Sequence, residues 1–163
     1  MNLQFFIEKL ENSEEFKNFK KENPDAFLSS GFFVLDFESN ENKYSLDFYN
    51  PKINKMFGFQ LNGDVKLIPL EMMQNSQIPV KLNVDSEIDF KDIEAVILKE
   101  MANQKITNKL QKIILIFQNQ EGKDLIFCTV FLSGFGILKV NLDDKGKIIL
   151  FEKKSLFDFI KKS

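Results

Sequence analysis

The sequence predicts an α+β protein built from two tandem units, each a helical entry followed by an antiparallel meander, (α-β-β-β-β) twice, with a short helix at the C-terminus. Three observations predict it. Apolar residues recur at helical spacing before residue 31 and alternate after it. The same switch from helical spacing to alternation occurs again between Phe90 and Gln118. Acidic-Asn-Gly turn chemistry then appears at corresponding places in both halves. The implied organisation is a first repeat at 1–70, a linker at 71–89 and a second repeat at 90–163, sharing one core.

In the first unit, Leu3, Phe6, Ile7 and Leu10 fall on one face of a helix. Ser13 followed by Glu14 and Glu15 reads as an N-cap with acids in the first turn, and Phe16 and Phe19 carry on the apolar face. Asn23-Pro24-Asp25 reads as a second helix start, with Ser29-Ser30-Gly31 ending the helical region. From Phe32 the period is two: Phe33, Leu35 and Phe37 share a strand face, as do Tyr44, Leu46 and Phe48 on the next strand. Phe57, Phe59 and Leu61 mark a third strand. Asn62-Gly63-Asp64 turns into a short fourth, Val65 to Ile68, with Pro69 at its end or at a sheet edge.

In the second unit Asp89 caps a helix with the stripe Ile93, Val96, Ile97 and Met101. Strands follow at Ile113 to Gln118, Leu125 to Leu132, Phe135 to Leu142 and Ile148 to Phe151. Ser155 caps a final helix carrying Leu156, Phe157 and Ile160. The halves also match in order and turn chemistry: Phe117 lies 80 positions after Phe37, and Glu121 and Lys123 stand at the same offset from Glu41 and Lys43. Asn62-Gly63-Asp64 parallels Asp143-Asp144-Lys145-Gly146 with a shift of one or two residues, although any two adjacent meanders share such features.

Composition excludes several function classes. With 163 residues, 44% of them hydrophobic and 19 of them Phe, the chain has ample material for a core and is not disordered. No apolar run approaches the ~20 residues of a membrane-spanning helix, and the first residues lack a basic start and a long apolar stretch. A cytoplasmic location without membrane association is therefore expected. The single cysteine, Cys128, rules out an intrachain disulfide. The net charge is −2, all 22 basic residues are Lys, and Arg, His and Trp are absent, so no nucleic-acid partner is expected.

No motif selects a reaction, and no catalytic residue, metal or cofactor is expected. Nucleophilic catalysis lacks its usual His base, and Cys128 sits in an apolar strand. Zinc would need ligands that one Cys and no His do not supply. Asp85, Glu87 and Asp89 have the alternate spacing of a calcium loop, but Phe90 and Val96 stand where that loop needs Gly and Glu. The seven glycines form no phosphate loop, and Gly134-Phe135-Gly136 reads as a strand-to-strand turn.

What remains is apolar surface. Phe32, Val34, Tyr49 and Met56 lie on the strand face opposite the expected core, and Ile114, Ile116, Ile126, Val130, Leu138 and Val140 are placed there in the second half. Either helices cover both faces, which is the plainer expectation, or one face receives a partner. The expected function is a non-catalytic binding or regulatory module that engages a protein or peptide, or a second copy of the chain, through a sheet face or edge. The candidate contacts are Phe32, Val34, Tyr49 and Met56. A carrier of a small apolar ligand or lipid is the alternative.

The second half, a helix followed by strands ending in VNLDDKGKIILFEK, resembles a PepSY-type domain through Asp143, Gly146, Lys147 and Ile148, and the first half is similar but more divergent. That resemblance implies a helix packed on an antiparallel sheet and a role in peptidase inhibition or regulation. The order of elements from Phe90 to Ser163 is also similar to one repeat of the TATA-box-binding protein saddle, whose Phe wedges press into a DNA minor groove. The acidic charge balance and the missing Arg argue against that activity here.

Overall fold

Helix α1 (Leu3–Glu11) starts where the Asn2 side chain accepts the Phe5 N–H at 2.9 Å, and helix α2 (Glu14–Glu22) starts where Ser13 Oγ accepts the Phe16 N–H at 3.2 Å. The expected second start at Asn23-Pro24 is instead the end of α2. The Asn23 N–H and its side-chain amide both donate to the Phe19 carbonyl, and strand β1 (Phe27–Asp36) begins three residues after Pro24. Ser29, Ser30 and Gly31, expected to end a helix, lie inside β1. Gly31 is small because α1 crosses there: a methyl group built on it would meet the Phe33 ring at 2.9 Å and Leu3 at 3.4 Å.

Strands β2 (Lys43–Asn50), β3 (Lys55–Gln60) and β4 (Lys66–Leu70) follow as expected, with Pro69 inside the edge strand β4. An irregular connection leads to helix α3 (Phe90–Asn103), whose N-cap Asp89 accepts the Lys91 N–H at 2.8 Å. Strands β5 (Leu110–Gln120), β6 (Lys123–Leu132), β7 (Gly136–Leu142) and β8 (Ile148–Ser155) complete, among the described residues, an α+β fold of three α-helices and one eight-stranded antiparallel sheet, ordered β4-β3-β2-β1-β5-β6-β7-β8. This computed structural model describes residues 1–74, 76–84 and 86–155. The expected C-terminal helix at Leu156, Phe157 and Ile160, and Asp85 of the calcium-like spacing, lie outside the described residues.

All three helices pack on the same face of the sheet. Leu3, Phe6, Leu10, Phe19, Phe90, Ile93, Ile97 and Met101 join one buried cluster with Phe33, Leu46, Phe59, Ile113, Leu115 and Phe117. Phe6, Phe33 and Phe90 touch one another with ring centroids 4.9–5.9 Å apart, and Phe19 packs on Phe48, Phe57 and Phe59 at 5.0–6.0 Å. The expectation that helices cover both faces is not met among the described residues.

Register corrects two further expectations. Leu115 pairs with Cys128, and Cys128 with Val140, so Ile126, Val130, Leu138 and Val140 face the helices. Strands this apolar on both sides offer no alternation from which to choose a face, and only pairing with β5 decides it. Phe37, expected in the core, is 37% exposed, whereas Phe117 is buried in β5. Asp36 ends β1 one residue early, because its carboxylate accepts the Glu38 and Ser39 N–H groups, both at 3.0 Å. The 80-residue correspondence between Phe37 and Phe117 is therefore not a structural one.

Candidate functional site

The helix-free face of the sheet is where the four predicted contact residues lie, on alternate positions from the core side chains Phe33, Leu35 and Phe48. They do not form one cluster. Phe32 and Val34 sit on the central strand β1, and Phe32 is 37% exposed while Val34 is 9% exposed. Tyr49 and Met56 are a directly opposed pair on β2 and β3. Tyr49 is buried, packs its ring on Phe27 at 5.7 Å and donates its hydroxyl to Asn54 Oδ1 at 2.7 Å. Only Phe32 and half-buried Met56 present contact area.

Following the pairings outward from Phe32 shows a row that sequence reasoning found only in part. Phe32 faces Ile116, and Ile116 faces Phe127, so three adjacent strands carry an unbroken apolar row. Next to it, Val34 pairs with Ile114 and Ile114 with Thr129, and Phe131 pairs with Ile137 on the same face. Phe127, Phe131 and Ile137 were missed because the parity of β6 and β7 was not legible. Ile114, Ile116, Phe127 and Phe131 are all half-exposed.

Between the Phe32 row and the Tyr49–Met56 pair lies one acid, Asp47. It faces Ser30 on β1 and Gly58 on β3, and Ser30 Oγ donates to its Oδ2 at 3.4 Å. The position of a Cβ on Gly58 is 3.3 Å from Asp47 Oδ1 and 3.2 Å from a methyl of Leu70, which places an apolar side chain from the edge strand beside the carboxylate. Burial raises the Asp47 pKa to about 6, against the smaller lowering effect of the Ser30 hydrogen bond. No described ion pair involves it.

The connection after β4 runs past the start of β1 and forms a wall there. Leu82 is buried in the core and its N–H donates to the Leu28 carbonyl at 2.9 Å. Asn83 and Val84 donate their N–H groups to the Asp124 carboxylate at 3.0 and 3.1 Å, with Val84 held at a φ of 64°, a costly conformation for a β-branched residue. Between segment 77–80 and the sheet is a cleft of about 380 Å³, bounded by Ser29, Ser30, Met56, Gln118 and Glu121 opposite Ile78 and Val80.

Chemically, what the described residues of this face present is apolar side chains and the Asp47 carboxylate. Cys128 is on the helix side, and burial pushes its thiol up to about 12, so it is protonated and unreactive. No described helix is long and apolar enough to cross a membrane.

No family model and no curated relative matches the sequence. Among solved structures, the fold matches a crystal structure of a "putative lipoprotein" from Clostridium difficile 630. The TM-score is 0.56 at 15% identity, covering 86% of this chain and 91% of that one. At that identity the likeness concerns the fold alone.

Proposed function

We propose that the protein is a non-catalytic binding or regulatory module that engages a protein or peptide partner through the helix-free face of its sheet. One observation carries this reading: Phe32, Ile116 and Phe127 form a continuous apolar row across β1, β5 and β6 on the side that no described helix covers. The alternative, a carrier of a small apolar ligand between helices and sheet, is disfavoured by packing. Phe6, Phe33 and Phe59 are no more than 1% exposed; Phe6 and Phe33 are in ring contact, and Phe59 packs on the rings of Phe16, Phe19 and Phe48.

The same reading includes a tandem origin for the two halves. The strand order is symmetric about the β1–β5 junction, each half runs from helix to four antiparallel strands, and Val34 meets Ile114 across the junction. A PepSY-like ancestry of each half is part of this proposal and rests on the Asp143-to-Ile148 hairpin.

The test is capture of a partner from extract of the native host by wild type and by Phe32→Asp. Wild type is expected to enrich a partner, and the variant to lose it while its melting temperature stays within a few degrees, because Phe32 is already part-exposed. Equal capture by both proteins would overturn the assignment.

A further inference from the structure

The helix-free face holds a charge that the fold itself leaves unanswered. Asp47 has no cation partner among the described residues, its one side-chain hydrogen bond is the 3.4 Å contact from Ser30, and its Oδ1 receives no described donor. The adjacent cleft shares Ser30 with it, and among the described residues that line the cleft the one charge is the acid Glu121; Asp47 lies behind Ser30 and not in the lining. In a chain with 22 lysines, none lines the cleft. Met56, Ile78 and Val80 supply apolar walls, and Ile78 and Val80 are 76% and 53% exposed.

Acid without a counter-charge, apolar walls and an open approach together suit an aliphatic stem that ends in a cation. We propose that the cleft between segment 77–80 and the sheet, with Asp47 at its side, seats a Lys or Arg side chain of an extended peptide segment in the partner. This rests on the sheet-face reading above, and it adds the chemistry of the partner: a basic residue whose neighbours lie along the Phe32–Ile116–Phe127 row. A peptide is chosen over a free amine because the cleft and the row share one face, one residue pair apart along β1.

Engagement should then be coupled to protonation. The groups facing Asp47 are Ser30 on β1 and Gly58 on β3. Tyr49 is the nearest titratable group along its own strand, and Lys66, opposite Gln60, is the lysine position next along β4; neither forms a described ion pair with it. A cation binds the ionised form, so affinity falls as the pH drops through about 6.

The experiment uses isotopically labelled full-length protein titrated with an alternating lysine–valine peptide or its glutamate–valine counterpart. The basic peptide is expected to shift the amides of Ser30, Met56, Ile78 and Gln118, and to bind roughly tenfold more weakly at pH 5 than at pH 7. Asp47→Asn should lose about that tenfold at pH 7 and lose the pH dependence with it. Ile78→Ser, at a side chain that is 76% exposed and so adds little to the core, should weaken binding several-fold. Equal binding of the two peptides, or wild-type binding by Asp47→Asn, overturns the proposal. If Asp47→Asn binds normally while Phe32→Asp does not, the basic-group assignment falls and the sheet-face reading stands; if both bind normally, both fall.

Discussion

Asp47 and Asp36 occupy the same face of the sheet and are driven in opposite directions. Asp36 is held down to about 2, first by the Ser39 and Glu38 N–H groups that it accepts, with Lys112 at 3.6 Å a lesser contribution. Its contribution to stability is present above its ordinary value of 3.8 and is lost as the pH falls toward 2. Asp47 is raised to about 6 by burial beside Leu70, so in the window from 3.8 to 6 the folded state holds a proton that the unfolded chain releases. Stability from this group is therefore full below 3.8 and is lost as the pH rises through 6. At pH 7 the ionised carboxylate is a cost that an uncharged isostere avoids. Asp47→Asn is expected to stabilise the protein by about 1–2 kcal/mol at pH 7, with the gain vanishing at pH 4. Thermal melts of both proteins at the two pH values measure it. An unchanged or lower melting temperature at pH 7 would show that Asp47 is not desolvated.

At the scale of elements, the connection between β4 and α3 is anchored by Leu82 in the core and by one side chain of the β5–β6 hairpin. Asp124 accepts the Asn83 and Val84 N–H groups and the Asn119 side-chain amide at 2.8 Å, tying the wall of the cleft to the β5–β6 hairpin. Removing it leaves those donors without their acceptor and leaves the positive φ of Val84 uncompensated. Asp124→Ala is expected to cost about 1–3 kcal/mol and to speed amide exchange at Leu82, Asn83 and Val84 more than in β5 or β6. Exchange raised equally throughout the sheet would mean that Asp124 acts only on global stability. Elements like the helices were legible from residue order alone: Ser13 and Asp89 announce their helices, and of the stripe Ile93, Val96, Ile97 and Met101 all are buried but Val96, which is half-buried. The start of β1 was not legible, because Asn-Pro and Ser-Ser-Gly carry helix-boundary chemistry wherever they occur; here Asn23 closes α2 and Gly31 makes room for Leu3 of α1. The outer face of the first half was legible by parity from Phe33 and Leu46. That of the second half needed the Leu115–Cys128 pairing. Asp47 could not be singled out in sequence, since an acid alternating with Leu46 and Phe48 reads as a solvated position; only the opposed Gly58 and the reach of Leu70 bury it.

At the scale of the molecule, the question is whether the two halves are independent. The junction runs from Ser30 opposite Gln118 to Asp36 opposite Lys112, without a break in register, and it crosses the middle of the sheet. Phe33 of the first half touches Phe90 and Phe117 of the second at 4.9 and 5.6 Å, and Phe6 stacks on Phe90 at 5.9 Å. Separating the halves would expose these rings and leave β1 and β5 as unpaired edges, so neither half has a closed core of its own. One cooperative transition is expected. The sequence supplies a reporter for each half: both tyrosines, Tyr44 and Tyr49, lie in β2, there is no Trp to mask them, and the single thiol, Cys128, is buried in β6. Tyrosine fluorescence and the reactivity of Cys128 toward a thiol reagent, followed through the same denaturant series, should give one midpoint and one slope. If Cys128 became reactive at a denaturant concentration where the tyrosine signal was still native, the second half would be opening alone. The junction between β1 and β5 would then be a boundary between domains and not the centre of a shared core.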